Sequence, residues 1–307
     1  MQPLRASVAA LVGVALLLTG CHADDGRAVP EPAAPAAQPV VIDVTTLPLG
    51  PPTLVPTLVD GTLTWRGTTV RTSFPAQAVH AEILGAVDGR PVVTAYVEDG
   101  EDSGDRFFSL AADGSVRRLG ATYQTYDYGP RLVASTGHVW AQHTDRTSPL
   151  TLWEVDARTG EQLAVYHRRA PHDLAPADQA LVDAWVHRRR AAPETEDRTH
   201  DGALKASVRT LTLGTGSSVP AVVVRRTADR AELARFPFAV DDLTGSVDRV
   251  VFEDDEHVLA LVTLSSTRRH GTRQAVVRCG VATGACERVT EVSGQVALGV
   301  VRPRFYP

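Results

Sequence analysis

From Val40 onward the sequence predicts an all-β fold assembled from repeated small sheets. Three observations carry that reading. Short β-branched runs alternate with Gly- and Asp-containing turns, a unit of strand, loop, strand, turn and strand recurs, and the helical period is almost absent. At 43% hydrophobic and 22% charged residues, the chain can bury a substantial core, which a disordered protein cannot.

The repeat reads in order along the chain. The first copy runs from Pro91 to Val97, through an acidic loop to Phe107–Leu110, then the turn Ala112-Asp113-Gly114 and Val116–Leu119. The second joins His138–His143 to Leu150–Val155, with a turn through Thr159-Gly160 into Gln162–Tyr166. The third joins Leu204–Leu213 to Ala221–Arg226, with a turn at Asp229 into Ala231–Phe236. The fourth joins His257–Leu264 to Ala275–Arg278, with a turn at Thr283-Gly284 into Cys286–Val289. From Asp113 to Thr159 to Asp229 to Thr283 the steps are 46, 70 and 54 residues. A period of ~40–50 residues with three or four strands per unit is the spacing of a β-propeller blade. Such a small sheet cannot cover both its faces alone and does so by stacking on its neighbours. An incomplete unit, Thr57 to Phe74, and a last strand, Val296 to Val301, combine into a closing blade, for about five or six blades in all. The alternative is a pair of β-sandwiches, which would alternate without a fixed period.

The long step holds a helical insertion, taken as residues 172–200. Pro176 suits a first helical position, and Leu181 with Trp185 and Val182 with Val186 recur at i and i+4. Arg188, Arg189 and Arg190 follow at the end where cations favour the helix dipole. The helix reads as a cap over a groove, and Trp185 is the candidate for docking a partner.

Residues 1–20 have the parts of a secretory leader: Arg5 in the n-region, then an apolar run from Val8 to Leu18. That run is too short for a ~30 Å hydrocarbon core, which needs about 20 apolar residues. The string Leu18-Thr19-Gly20-Cys21 resembles the bacterial lipobox. The resemblance implies a lipoprotein: a lipid on the Cys21 sulfur, cleavage before it, and a body anchored on the outer face of the cell membrane. Residues 21–39, with Pro30, Pro32, Pro35 and Pro39, form an Ala/Pro-rich tether reaching at most about 55 Å, and residues 40–307 form the body.

With Cys21 assigned to lipid, Cys279 and Cys286 remain as an even pair in an oxidising compartment. They flank a tight hairpin and are expected to form a disulfide. Two cysteines with six residues between them and no histidine nearby make a poor zinc set.

The stretch from Thr151 to Glu161 (Thr-Leu-Trp-Glu-Val-Asp-Ala-Arg-Thr-Gly-Glu) resembles the outer hairpin of blades in WD40-like and quinoprotein-like propellers. For this blade the resemblance implies the same fold. An enzyme follows only by analogy, since propellers host many functions.

Chemistry is sparse. There is no phosphate-binding loop, and Thr215-Gly216-Ser217 lacks the second glycine of a nucleophile elbow. No catalytic residue, metal or cofactor is nominated. Two acidic clusters stand out, Glu98 to Asp105 and Glu253 to Glu256. In the first, Asp99, Glu101 and Asp105 are weak candidate calcium ligands: their spacing departs from the calcium-loop pattern, and the cluster sits between predicted strands, where charges solvate a turn. Tyr123, Tyr126 and Tyr128 with Trp140 are candidates for a sugar or peptide surface, but the strand positions of Trp65, Trp140 and Trp153 favour core packing. Net charge is -5, near -6 once Arg5 is removed, which excludes a nucleic-acid footprint. The expectation is a membrane-tethered, non-catalytic binding or scaffold protein with a protein partner or small ligand at one rim. The alternative is an envelope enzyme, a quinoprotein-like dehydrogenase or a hydrolase, with its site in the central channel.

Overall fold

The computed structural model describes residues 40–74, 78–97, 100, 103–123, 130–133, 135–143, 151–167, 171–186, 195–267 and 271–299. Residues 1–39, with the expected leader, Cys21 and the expected tether, lie outside these residues.

Among the described residues the chain forms a β-propeller of five four-stranded antiparallel sheets. Blade 1 is β1 (Thr57–Val59), β2 (Thr62–Trp65) and β3 (Thr68–Arg71), completed on its inner side by the last strand of the chain, β20 (Val296–Leu298). Blade 2 is β4 (Ala78–Val87), β5 (Arg90–Val97), β6 (Gly104–Leu110) and β7 (Val116–Tyr123). Blade 3 is β8 (Arg131–Val133), β9 (His138–His143), β10 (Thr151–Asp156) and β11 (Gln162–His167). Blade 4 is β12 (Glu196–Arg198), β13 (Leu204–Thr212), β14 (Ser218–Arg226) and β15 (Glu232–Pro237). Blade 5 is β16 (Ser246–Phe252), β17 (His257–Thr267), β18 (Gly271–Gly280) and β19 (Cys286–Arg288). The blade count is the lower of the two expected, and separate four-stranded sheets replace the two face-packed layers of a sandwich.

The predicted closing blade is present. β20 pairs antiparallel with β1 in the register Thr57 with Leu298 and Val59 with Val296, so the first and last described strands share one sheet. An open edge that could pair with another chain is thereby covered.

Each of the four repeated turns between the outer two strands is held by a side-chain oxygen accepting a backbone N–H two residues on. Asp113 accepts from Ser115 at 2.9 Å, Asp156 from Arg158 at 2.6 Å, Asp229 from Ala231 at 3.1 Å and Thr283 from Ala285 at 3.3 Å. These short polar side chains mimic a backbone turn, which is why Asp and Thr mark the repeat in sequence.

Packing joins the blades in pairs. Leu58, Leu63 and Ala297 of blade 1 meet Ile83, Val93 and Leu110 of blade 2. Val92, Phe107 and Leu119 of blade 2 meet Val139, Ala141 and Val155 of blade 3. Ala206, Val222 and Phe236 of blade 4 meet Val250, Val262 and Val277 of blade 5. Leu259 and Val276 of blade 5 meet Val296 and Leu298. The other face of blade 3, with Trp140 and Leu152, is covered by Leu181 and Val182 of helix α1 (Pro176–Val186). The Leu181/Val182 stripe is thus spent inside the molecule, as a cap. Trp185 sits in the last turn of α1, and its side chain is outside the described residues. Glu196–Arg198, within the stretch read as insertion, forms β12, the innermost strand of blade 4.

Cys279 and Cys286 form the expected disulfide across directly paired positions of β18 and β19. Cys279 belongs to the core shared by blades 4 and 5. Replacing both cysteines with serine is expected to lower the unfolding free energy by about 2–3 kcal/mol, the loop-closure value for so short a ring. Urea unfolding of the oxidised and double-serine proteins measures it. Identical midpoints would refute the contribution.

Candidate functional site

In each blade the connection between the second and third strands lies at the same end as the connection to the next blade, because all four strands are antiparallel. At that end a cavity of about 690 Å³ opens between blades 5, 1 and 2. One wall is polar and comes from blade 5, through Ser246, Asp248, Thr263 and Gln274. The facing wall is largely apolar, through Leu58, Phe74, Ala81 and Ala297.

Asp248 is placed by a break in the ladder. Val247 pairs with Val262 and Arg249 with Leu261, so Asp248 is the extra residue of a bulge in β16. Bulges re-aim a side chain that regular pleating would send elsewhere. The carboxylate accepts hydroxyls from Ser246 (Oδ1) and Thr263 (Oδ2), each at 2.5 Å. The Gln274 amide donates to the Thr263 hydroxyl at 3.0 Å, and its oxygen accepts from Val296 N at 3.3 Å. The wall of blade 5 is therefore fastened to the closing strand of blade 1.

Arg249, one residue on, is buried. Its guanidinium donates to Ile83 O of blade 2 at 3.0 Å, to Leu298 O of blade 1 at 2.8 Å, and to the Glu82 carboxylate. One arginine thus joins three blades beside the cavity. At the rim, Asp60 adopts a left-handed conformation, with φ 45°, and accepts the Ser293 hydroxyl at 2.5 Å. Asp tolerates this region because its short polar side chain bonds locally.

A second polar constellation lies under α1. Asp178, in the first helical turn, is buried and accepts from Trp140 Nε1 at 2.7 Å and Thr136 Oγ1 at 3.1 Å. His138 Nδ1 stands 2.9 Å from Glu154 and 3.2 Å from Asp178, near enough for ion pairing but off the direction of a hydrogen bond. Tyr166 donates to Glu154 at 3.0 Å. Burial first, then the bond to Glu154 and the charges of Glu154 and Asp178, push the Tyr166 phenol up to about 12. The nearby hydroxyl, Thr136, donates to Asp178 and to Val133 O. The group therefore clamps α1 to blade 3 and does not form a nucleophile–histidine–acid line.

The sequence candidates fall as follows. Among the calcium candidates, Asp105 lies in β6 in register between Tyr96 and Tyr123, while Asp99 and Glu101 are outside the described residues. The acidic stretch at Glu253 to Glu256 lies at the opposite end of blade 5 from the cavity. Its Glu253 is bound by Arg278 at 2.5 Å and Thr53 at 2.6 Å, and its Asp254 faces His257 at 3.0 Å. Tyr123 and Trp140 are core residues, and Tyr123 stacks on Phe107 at 4.9 Å. Tyr126 and Tyr128 are outside the described residues. Among the described residues no group of three histidines, cysteines or carboxylates is placed to hold a metal, and no helix is long and apolar enough to cross a membrane.

Asp248, Arg249, Glu82, Thr263 and Gln274 are not among the residues that the sequence singles out. Charged residues set inside apolar strand runs, as in Ser-Val-Asp-Arg-Val-Val-Phe (Ser246–Phe252), were the signal available. A strand that sets a half-buried Asp248 and a buried Arg249 among valines departs from what packing alone selects.

No protein-family model matches the chain, and no curated protein does. Among solved structures, the chain is similar to TolB from Acinetobacter baumannii at 15% identity and a TM-score of 0.27, covering 78% of this chain and 51% of that one. It is similar to a puromycin-hydrolyzing peptidase of Mycobacterium tuberculosis at 13% identity and a TM-score of 0.33, covering 80% of this chain and 47% of that one. It is also similar to the β-propeller domain of the Trilobed protease from Pyrococcus furiosus at 8% identity and a TM-score of 0.23, covering 69% of this chain and 58% of that one. The chain spans about half the length of these structures, and the likeness is one of fold.

Proposed function

We propose that this chain is an extracytoplasmic binding lipoprotein, held on the outer face of the cell membrane by lipid on Cys21 and presenting a propeller whose cavity takes a small ligand. The leader, the Leu18-Thr19-Gly20-Cys21 string and the Pro-rich tether support the anchoring. One observation carries the binding role over the enzymatic one: the polar groups around the cavity are paired with one another, and no histidine lines it among the described residues. Ser246 donates to Asp248 directly, with no base between them to take its proton, so a serine hydrolase line is not assembled there. A concave site of this volume with an apolar side and a few placed polar groups is suited to holding a small molecule.

The test pairs labelling with fractionation. Wild type grown with a palmitate label is expected in the membrane fraction carrying the label. Cys21→Ser is expected unlabelled and released, with an unchanged melting temperature. An unlabelled, soluble wild type would sink the proposal.

A further inference from the structure

We propose that the cavity between blades 5, 1 and 2 selects a small hydroxyl-bearing organic cation of the amino-sugar type, an inference that rests on the binding role above. The charge balance of the lining is the first reason. Asp60, Glu82 and Asp248 supply three carboxylates, and Arg249 is the one cation among the described lining residues. That guanidinium is already directed to Ile83 O, Leu298 O and Glu82, so it is not presented to a ligand. An anionic ligand would face net negative charge with no cation turned toward it. An ammonium group instead offsets charge that the lining leaves over.

The hydroxyls are the second reason. Besides Ser246 and Thr263, the side chains of Thr244, Ser266 and Thr272 stand around the mouth with the Gln274 and Gln295 amides. The Ser246, Thr263 and Thr244 hydroxyls give their protons to Asp248 and Asp242, so toward the cavity they offer acceptor oxygens, which suit the donors of an ammonium or a polyol hydroxyl. Phe74 and Leu58 on the other wall offer apolar surface to the C–H face of a ring. A bare metal ion would leave that wall unused, and no three ligating groups converge to hold one among the described residues.

The bulge at Asp248 is the third. A carboxylate lifted out of the ladder and held by two hydroxyls has a fixed direction, which is what recognition of a localised ammonium needs.

Titration calorimetry on the full chain tests this with three probes: the β-1,4-linked glucosamine dimer, its N,N′-diacetyl counterpart and calcium chloride. The amine dimer is expected to bind at least about tenfold more tightly than the diacetyl form, with weakening at higher salt. Asp248→Asn is isosteric, keeps an acceptor for the Thr263 hydroxyl and turns an amide donor toward the Ser246 oxygen, which can accept, and Asp60→Asn suits the left-handed backbone, so both variants are expected to melt with wild type. Each is expected to weaken the amine dimer about fivefold or more while leaving the diacetyl form unchanged. Equal affinity for the two sugars, with both variants silent, would overturn the cation preference and leave the binding role intact. Calcium binding that excludes the sugar would overturn it in favour of a metal site, and absence of heat with the amine dimer would overturn it outright. Cleavage of the dimer during titration would instead overturn the binding reading and establish an enzyme.

Discussion

Asp178→Ala is expected to lower the unfolding free energy by about 3 kcal/mol and to free α1 from blade 3. The carboxylate is almost fully buried and satisfies the Trp140 indole N–H, so truncation strands that donor in a dry interface, while the half-buried Thr136 hydroxyl keeps Val133 O. A stranded buried donor costs about 1–3 kcal/mol, and the fully buried indole stands at the upper end. Asp178→Asn keeps an acceptor for Trp140 and gives up only the charge, so about 1–2 kcal/mol is expected. Hydrogen exchange of the α1 amides separates helix release from general loosening: release predicts fast exchange confined to Pro176–Val186 and the strands beneath it. An alanine variant within 1 kcal/mol of wild type, with α1 still protected, would refute the clamp.

The outer three strands of blades 2 to 5 were legible because they are hairpins. Their alternation and the Asp or Thr at each turn are local signals, and Asp113, Asp156, Asp229 and Thr283 make the bonds that give rise to them. The innermost strands of blades 2 to 5 were not legible. β8 and β12 have three residues each, too few for any period, and β12 reads Glu-Asp-Arg, a loop by composition. Its place in a sheet is decided by tertiary contact, as when Asp197 accepts the backbone N–H of Phe252 at 2.7 Å. The cavity failed to appear for the same reason. Its walls bring β4, β16 and β20 together with residues of β1, β17 and β18, far apart in sequence, and they enclose a cavity only when β20 pairs with β1. The disulfide and α1, by contrast, rest on spacings of seven and of three to four residues, which sequence displays directly.

Arg278→Met is expected to cost about 3–5 kcal/mol, the range for stranding a buried charge, although a methionine fills much of the arginine's volume. Arg278 grips Glu253 with two nitrogens, at 2.5 and 2.9 Å, and reaches Glu287 at 2.7 Å and Pro51 O at 3.1 Å. Glu253 in turn accepts from the Thr53 hydroxyl at 2.6 Å and Leu54 N at 2.7 Å. The network therefore sews the segment that leads into β1 onto blade 5, which the disulfide stiffens next door. Burial raises the Glu253 carboxyl, but Arg278, Thr53 and the Leu54 amide outweigh it and hold it below its ordinary value of 4.5. A depressed carboxyl contributes stability above that value and loses it as pH falls through the folded one. Without Arg278, burial pulls the other way, so the variant's deficit is largest near neutral pH and shrinks toward pH 4 as Glu253 protonates. The double variant Arg278→Met, Glu253→Gln removes the stranded charge and is expected to recover more than half of the loss, since a buried ion pair contributes little beyond what an uncharged replacement supplies. Denaturant unfolding of the three proteins at pH 7 and pH 4 decides the matter. A deficit that is the same at both pH values and is not relieved in the double variant would mean that Arg278 acts through packing and not through the charge of Glu253.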